Sequence, residues 1–286
     1  MRAPQIPRGR RGFTLIEILV VVVILGLVMA MAAVLLRSVS ATQKRSITGS
    51  RMANVEAAIV QFVMQQKRMP CPADGTQPAS TGGAEMWAAG PGTCTTQQNG
   101  VVPWRSLGLS AADATDGWDR RMTYRVGSTL VAASAMDLSW CDPAGTGGLS
   151  GLVCNITCTS SSPGNCTPPS TYLSGKGLAV KNLAGTDVMF PNGNPAGTPP
   201  FTGAAYILLS HGESGGGAYL DNGVLSTSTT TDGTEEQKNY ANLALGGYYV
   251  DDQVTDVAGA NHFDDVVLRP SVLSVANKAA LGPRAH

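Results

Sequence analysis

The residue types best suited to catalysis occur together in the segment SHGESGGGA, Ser210 to Ala218. A serine nucleophile needs a histidine base within hydrogen-bonding reach, and the histidine needs a group that orients it. Adjacent strand residues point to opposite faces of a sheet, so Ser210 and His211 make a poor nucleophile–base pair. His211 with Glu213 is the other pairing that the segment offers. We predict a tight glycine turn with positive φ values instead, and a protein that is not an enzyme.

Aspartates gather in the last part of the chain, where they offer oxygen ligands. Ca²⁺ takes about six to eight oxygens from carboxylates, carbonyls and water. No EF-hand spacing is present, and solvated turn carboxylates are the simpler interpretation. No cofactor is therefore expected, and Ca²⁺ is kept as a weak alternative. Its candidate ligands are Asp251, Asp252, Asp264 and Asp265.

The cysteines are even in number and all lie beyond the apolar N-terminal stretch. An even count in an oxidising compartment predicts three disulfides, and sequence alone leaves their pairing open. The spacings do not form the paired CxxC motifs of a zinc site. The six residues are Cys71, Cys94, Cys141, Cys154, Cys158 and Cys166.

A single carboxylate, Glu17, interrupts an apolar stretch that runs from Gly12 to Leu36. At ~1.5 Å per residue this stretch can cross a bilayer core of ~30 Å. The arginines before it predict a cytoplasmic N-terminus, with the following residues outside. A secretory signal peptide would have a shorter apolar region, whereas an ordinary signal anchor remains an alternative. A carboxylate in lipid costs about 2.5–3.5 kcal/mol, so Glu17 calls for a partner.

The segment RGFTLIE, Arg11 to Glu17, with the apolar run after it, resembles the processing signal of type IV pilins and type II secretion pseudopilins. The resemblance implies cleavage between Gly12 and Phe13 by prepilin peptidase, followed by N-methylation of Phe13. It also implies that Glu17 pairs with the N-terminal amine of a neighbouring subunit during filament assembly. An opposite charge of this kind would stabilise a buried carboxylate.

These features predict four parts of the chain. They are a leader at 1–12, a transmembrane and filament-core helix at 13–36, an amphipathic helix at 37–69 and a globular head at 70–286. The residues that recur near a helical period, and so predict a buried face, are Ile47, Met52, Val55, Ile59, Phe62, Val63 and Met69. The residues predicted on the solvated face are Lys44, Arg45, Arg51, Lys67 and Arg68.

In the head, the segments PCPAD (70–74), VPWRSLGL (102–109) and DGWD (116–119) resemble segments of pilin-like proteins, except that Asp119 stands where glycine is usual. Trp118 is predicted to pack between the head and the helix. Residues 121–126 and 129–135 are predicted to form a hairpin across Gly127-Ser128.

The remaining head segments are predicted from composition and alternation. Residues 140–175 indicate a disulfide-stapled insertion with little regular structure. Strands are expected in 177–183 and, as the central strand, in 204–210. Residues 263–268 resemble the closing strand of pilin-like proteins. A short helix is expected in 270–281, and 282–286 are expected to fray.

The sequence thus predicts an α+β, pilin-like fold: a long N-terminal helix, half membrane-spanning and half amphipathic, on an antiparallel sheet head. The zero formal charge argues against nucleic acid as a partner. The implied function is a structural subunit of a type IV pilus or a type II secretion pseudopilus. The implied partners are identical or related subunits, prepilin peptidase, an assembly platform and the bacterial inner membrane. The head would lie in the periplasm, and after assembly in a pilus or pseudopilus. The alternative is a membrane-anchored adhesin or binding protein that uses residues 140–175, for example as a minor pilin at a filament tip.

Overall fold

The computed structural model describes residues 15–90, 92–95, 97–145, 154–191, 203–227, 232–244, 247–255 and 257–286, without the side chains of 32–38. The helices are α1 (Leu15–Gln66), α2 (Pro169–Leu173) and α3 (Val272–Lys278). The strands are β1 (Ala73–Asp74), β2 (Gly100–Val101), β3 (Arg120–Arg121), β4 (Thr123–Val126), β5 (Val180–Lys181), β6 (Asp187–Met189), β7 (Tyr206–Ser210), β8 (Tyr219–Leu220), β9 (Tyr249–Val250) and β10 (Val266–Leu268).

The chain divides into two compact units, Met1–Gln43 and Lys44–His286. We call the described part of the first unit the N-terminal segment and the second unit the head. In the part of the chain that the structure describes, no helix combines the length and the apolar character needed to cross a membrane.

Within the head, α1 buries one face. Met52, Val55, Ile59 and Val63 follow one another at intervals of three or four residues, and each is at most 4% exposed. This is the spacing that places side chains on one side of a helix. Ile47 was predicted on this face but is exposed; the buried residue of that turn is Thr48.

The helix ends at Gln66 because the next residue leaves the helical region. Lys67 has a φ of 56°, and its N–H donates to the carbonyl of Val63 (2.8 Å). A left-handed residue with such a bond is a common helix C-terminus. The proline at position 70 then prevents any continuation.

A five-stranded antiparallel sheet with the order β1-β2-β4-β7-β10 carries the core of the head. β7 lies between β4 and β10, with Tyr124 opposite Leu208 and Val267 opposite Leu209. All five residues of β7 are buried, as its apolar sequence predicts for a central strand. The long helix, the antiparallel sheet and the disulfides confirm the predicted α+β pilin-like fold. β3 with β8, and β6 with β5 and β9, form two smaller sheets.

The predicted hairpin between 121–126 and 129–135 is wrong. β4 pairs with β2 and β7, whereas Ser128–Leu130 form a 3-10 turn. The reason is a competing set of backbone bonds at the end of α1. Leu130 O accepts from Met69 N, and Met136 N donates to Lys67 O (both 2.9 Å).

Three disulfides are present, as predicted. They join Cys71 to Cys94, Cys141 to Cys154 and Cys158 to Cys166, with Cα–Cα distances of 5.5, 5.1 and 4.5 Å. The insertion 140–175 holds two of them. Its described residues contain only the short helix α2 and the 3-10 turn Pro163–Asn165.

The prediction that residues 282–286 fray is wrong, because hydrogen bonds hold the C-terminal tail along residues 138–141. Leu138 N donates to Leu281 O (2.9 Å), and Arg284 N donates to Cys141 O (3.1 Å). The ring of His286 stacks on Trp140 with a centroid distance of 5.1 Å.

Candidate functional site

The N-terminal segment exposes almost nothing but apolar side chains. Every large apolar side chain from Leu15 to Met31 is between 49% and 85% exposed. A buried aliphatic side chain of this size gains about 1.5–3 kcal/mol over an exposed one. An exposed apolar surface of this extent marks a site of contact with a partner or an apolar medium.

Glu17 is the only charged residue from Leu15 to Met31, and it lies near the start of α1. A carboxylate in the first turn of a helix is favoured by the helix dipole. The predicted processing residues, Gly12 and Phe13, lie outside the described residues. Their roles, and the assembly role of Glu17, therefore stay predictions.

In the head, two side chains of α1 hold the DGWD turn, 116–119. Thr48 Oγ1 accepts a hydrogen bond from Gly117 N (2.9 Å). Arg51 Nη1 donates to Asp116 O (2.8 Å) and to Thr115 Oγ1 (3.0 Å). A Cβ on Gly117 would collide with the backbone carbonyl of Lys44, so only glycine permits this approach. Arg51 was predicted on the solvated face, but it is partly buried and links the helix to the sheet.

The DGWD turn is itself organised by the buried carboxylate of Asp116. Its Oδ1 accepts from the N–H groups of Trp118 (2.9 Å) and Arg120 (3.0 Å), and its Oδ2 accepts from Ser210 Oγ (2.6 Å). Asp119 adopts a φ of 60°. Aspartate tolerates this left-handed conformation better than most residues do, which explains how it replaces the usual glycine.

Arg68 provides the second link, at the end of α1. Its guanidinium donates to both oxygens of Glu85 (2.9 and 3.2 Å), and Glu85 Oε1 also accepts from Cys71 N (2.6 Å). The same guanidinium lies over the rings of Phe62 (4.8 Å) and Trp87 (4.3 Å). The prediction that Arg68 is solvated is wrong, since it is 6% exposed. A bidentate carboxylate and two aromatic faces compensate the burial of its charge.

The suspected catalytic residues are used for structure. Ser210 donates to Asp116, whereas His211 Nε2 lies 2.7 Å from Thr123 Oγ1. Burial lowers the pKa of His211 to about 3, so the imidazole is neutral. Glu213 is exposed and its backbone carbonyl accepts from Arg120 (3.1 Å). Gly212, Gly215 and Gly217 all have positive φ, which confirms the predicted glycine turn.

A buried group of acids and one imidazole surrounds Glu236. Glu236 Oε2 accepts from Gly233 N (3.0 Å) and lies 2.8 Å from His262 Nδ1, while Oε1 accepts from Asp264 N (2.8 Å). Two sets of side chains here are close enough to share a cation: Asp232, Glu236 and His262, and Glu236, Asp264 and Asp265.

Electrostatics distinguish the members of this group. Burial raises the pKa of Glu236, and it raises the pKa of Asp265 well above its usual range, with the charge of Glu236 adding to the effect. Burial alone would lower the pKa of His262, but the hydrogen bond to Glu236 reverses this and the pKa is raised. Sequence reasoning missed Glu236 and His262, because nothing in their spacing marks them.

The four calcium candidates separate into two pairs. Asp264 and Asp265 belong to the group around Glu236. Asp251 instead pairs with Arg269 Nε (2.5 Å), and Asp252 accepts from the backbone N–H groups of Leu183 (2.9 Å) and Gln253 (2.7 Å). Calcium binding stays a prediction, now restricted to Asp264 and Asp265.

Comparison with known families identifies the N-terminal sequence. Residues 7–33 match the family described as the prokaryotic N-terminal methylation motif. This is the cleavage and methylation signal of type IV pilins and pseudopilins, so the predicted resemblance is confirmed. The motif supports a type IV pilin-like or pseudopilin substrate of prepilin peptidase, a class that is typically structural. No curated protein and no solved structure matches the chain.

Proposed function

We propose that this chain is a filament subunit, either a pilin or minor pilin of a type IV pilus or a pseudopilin of a type II secretion system. The observation that carries the proposal is the methylation motif at 7–33, together with the apolar surface that α1 exposes from Leu15 to Met31. The motif supports processing before Phe13, and the exposed surface supports packing against other subunits.

In this proposal the inner membrane holds the processed subunit, with the head in the periplasm, until an assembly platform extracts it. The apolar side chains then exchange lipid for the helices of identical or related subunits. The Glu17 carboxylate forms an ion pair with the methylated Phe13 amine of a neighbouring subunit. Because an unpaired carboxylate is costly in an apolar environment, this pair forms only in the correct register.

The first test is the N-terminal mass of the mature protein in cells with and without prepilin peptidase. We expect a methylated Phe13 terminus that depends on the peptidase. An intact Met1, or a cut elsewhere, would remove the basis of the proposal. Replacement of Gly12 by a bulky residue should block the cleavage.

Glu17 provides the second test, because its role is in assembly and not in processing. Glu17→Gln removes the charge at nearly constant shape, and we expect processed protein but at least tenfold fewer filaments. That factor corresponds to about 1.4 kcal/mol per subunit contact. Glu17→Asp keeps the charge and serves as the matched control, with partial assembly expected. Normal filaments from Glu17→Gln would exclude the charge-pairing mechanism.

A second candidate function rests on the insertion. Ile156 is 69% exposed and Trp140 is 39% exposed, next to the two disulfides of 140–175. Exposed apolar side chains on a stapled loop are suited to contact with a ligand. Purified filaments separate the two functions. A repeating abundant subunit is a major pilin, whereas a trace component at the tip is a minor pilin or adhesin.

A further inference from the structure

Arg125, on β4, holds a positive charge inside the head. It is 1% exposed, and its Nη2 donates to the carbonyl oxygens of Ala241 (2.6 Å) and Leu243 (2.7 Å). Among the described residues, no carboxylate forms an ion pair with it. Burial lowers the pKa of this guanidinium, and the groups that interact with it electrostatically are Tyr249 and Tyr219. His211, which also interacts with Arg125, is neutral.

Four buried polar atoms, on Arg125, on the turn that it contacts and on β9, have no hydrogen-bond partner in the described structure. They are Arg125 Nε and Nη1, Asn242 Oδ1 and the Tyr249 hydroxyl. Asn242 stands between the two residues whose carbonyls bind Arg125, and Tyr249, on β9, interacts with Arg125. A buried polar atom without a partner costs about 1–3 kcal/mol, and a charged one costs more. A ligand that paired with these atoms would remove this cost.

The other buried arginines of the head show what satisfied guanidinium groups look like. Arg121 donates to the carbonyls of Gly75, Gln77 and Asp221. Arg68 forms the bidentate pair with Glu85. Arg125 has two carbonyls on one nitrogen and nothing on the other two, so it can still donate in two directions.

We propose that Arg125, Asn242 and Tyr249 form a binding site for a small monovalent anion, such as chloride or formate. One negative charge neutralises the guanidinium, and Nε, Nη1 and the Tyr249 hydroxyl donate to it. Asn242 joins as a donor when its amide turns by half a rotation, because one end of the group carries NH₂. We expect a small ion because Arg125 is 1% exposed and its guanidinium lies against the backbone carbonyls of Ala241 and Leu243.

The experiment uses the full chain in a neutral detergent, with chloride as the probe. The line width of the ³⁵Cl resonance is measured with protein at constant ionic strength, with gluconate as the bulky replacement anion. We expect excess broadening that formate reverses by competition. Arg125→Met should abolish this excess. Arg105→Met is the matched control, because Arg105 also donates to two backbone carbonyls, those of Ser80 and Thr81, but is exposed. It should broaden the line as the parent protein does.

A second variant keeps the test decisive if Arg125→Met does not fold. Tyr249→Phe removes one oxygen that makes no hydrogen bond in the described structure, so the head should fold normally. Loss of a single donor to the anion should weaken chloride binding about fivefold. Broadening that is unchanged in Tyr249→Phe, or in a folded Arg125→Met, would overturn the proposal, as would its absence from the parent protein.

Discussion

The head and the N-terminal segment differ in which side chains they bury and which they expose. The head buries charged groups, among them Arg68, Arg125, Asp116 and Glu236, and the N-terminal segment exposes apolar ones from Leu15 to Met31. Within the head, most of these polar groups find partners inside the same unit. The apolar side chains from Leu15 to Met31 are exposed, so they are available for contact with a partner or an apolar medium. The buried groups of the head therefore stabilise its fold, whereas the exposed side chains from Leu15 to Met31 do not contribute to that stability.

The largest expected effect comes from truncating the same residue type in the two parts of α1. Ile59→Ala removes a fully buried side chain from the head and should lower its free energy of unfolding by about 4 kcal/mol. Ile18→Ala, in the exposed segment, should change that free energy by less than about 0.5 kcal/mol. Urea unfolding in detergent, followed by tryptophan fluorescence, measures both. Equal losses would mean that the two parts of the helix are not energetically distinct.

The buried ion pair at the end of α1 gives the next largest effect. Arg68→Leu leaves Glu85 buried without its partner, and we expect a loss of about 3 kcal/mol. The adjacent Lys67 is a matched control, because it also forms an ion pair, with Asp137, but is half exposed. Lys67→Leu should cost at most about 1 kcal/mol. A double variant, Arg68→Leu with Glu85→Gln, should recover part of the loss. If the double variant is no more stable than Arg68→Leu, the loss comes from packing and not from the unpaired charge of Glu85.

A smaller effect is expected where α1 holds the DGWD turn. Thr48→Val keeps the shape of the side chain but removes the oxygen that accepts from Gly117 N. The expected loss is about 1–2 kcal/mol, the cost of an unsatisfied backbone N–H. Ser50→Ala, on the exposed side of the same turn, should have no measurable effect. If both variants behave alike in urea unfolding, Thr48 does not link the helix to the sheet.

The smallest effect is a pH dependence that arises in the group around Glu236. The folded head raises the pKa of Asp265, of Glu236 and of His262, so it binds their protons more tightly than the unfolded chain does. Stability from these groups is present at low pH and is lost as the pH rises through the folded pKa values. The head should therefore unfold more easily at pH 8 than at pH 5 in urea unfolding.

The matched variant for this prediction is Asp265→Asn, studied with a chelator present. It removes one of the three groups whose pKa is raised, so the difference between pH 5 and pH 8 should shrink. A difference that stays the same in the variant would assign the pH dependence to other carboxyls.

Local sequence was sufficient where one element decides the outcome. The period of Met52, Val55, Ile59 and Val63 predicts the buried face of α1, and the apolar run at 204–210 predicts the central strand. Arg68 was placed in solvent because an arginine beside a helix end is usually solvated. Its burial depends on Glu85 and on two rings, and no local pattern reports such a meeting.

The same limit explains the other errors. The segment 129–135 has the composition of a strand, but its backbone is hydrogen-bonded to the residues that follow α1 instead of to a neighbouring strand. Glu236 and His262 are 26 residues apart, and their contact depends on how two loops meet. For the N-terminal segment the opposite holds. The processing motif is apparent from the sequence alone, because it is recognised by another protein and does not depend on how this chain folds.

The disulfide pattern has a consequence for how the head matures. The six cysteines pair in chain order, the first with the second, the third with the fourth and the fifth with the sixth, across 23, 13 and 8 residues. Short separations close at little entropic cost, so each bridge can form before distant parts of the chain are present. In the proposed function the head crosses the membrane from its N-terminal side, which would deliver the cysteines in the order in which they pair. Cys94 would then reach Cys71 before Cys141 emerges, and sequential oxidation would give the native pairing without reshuffling.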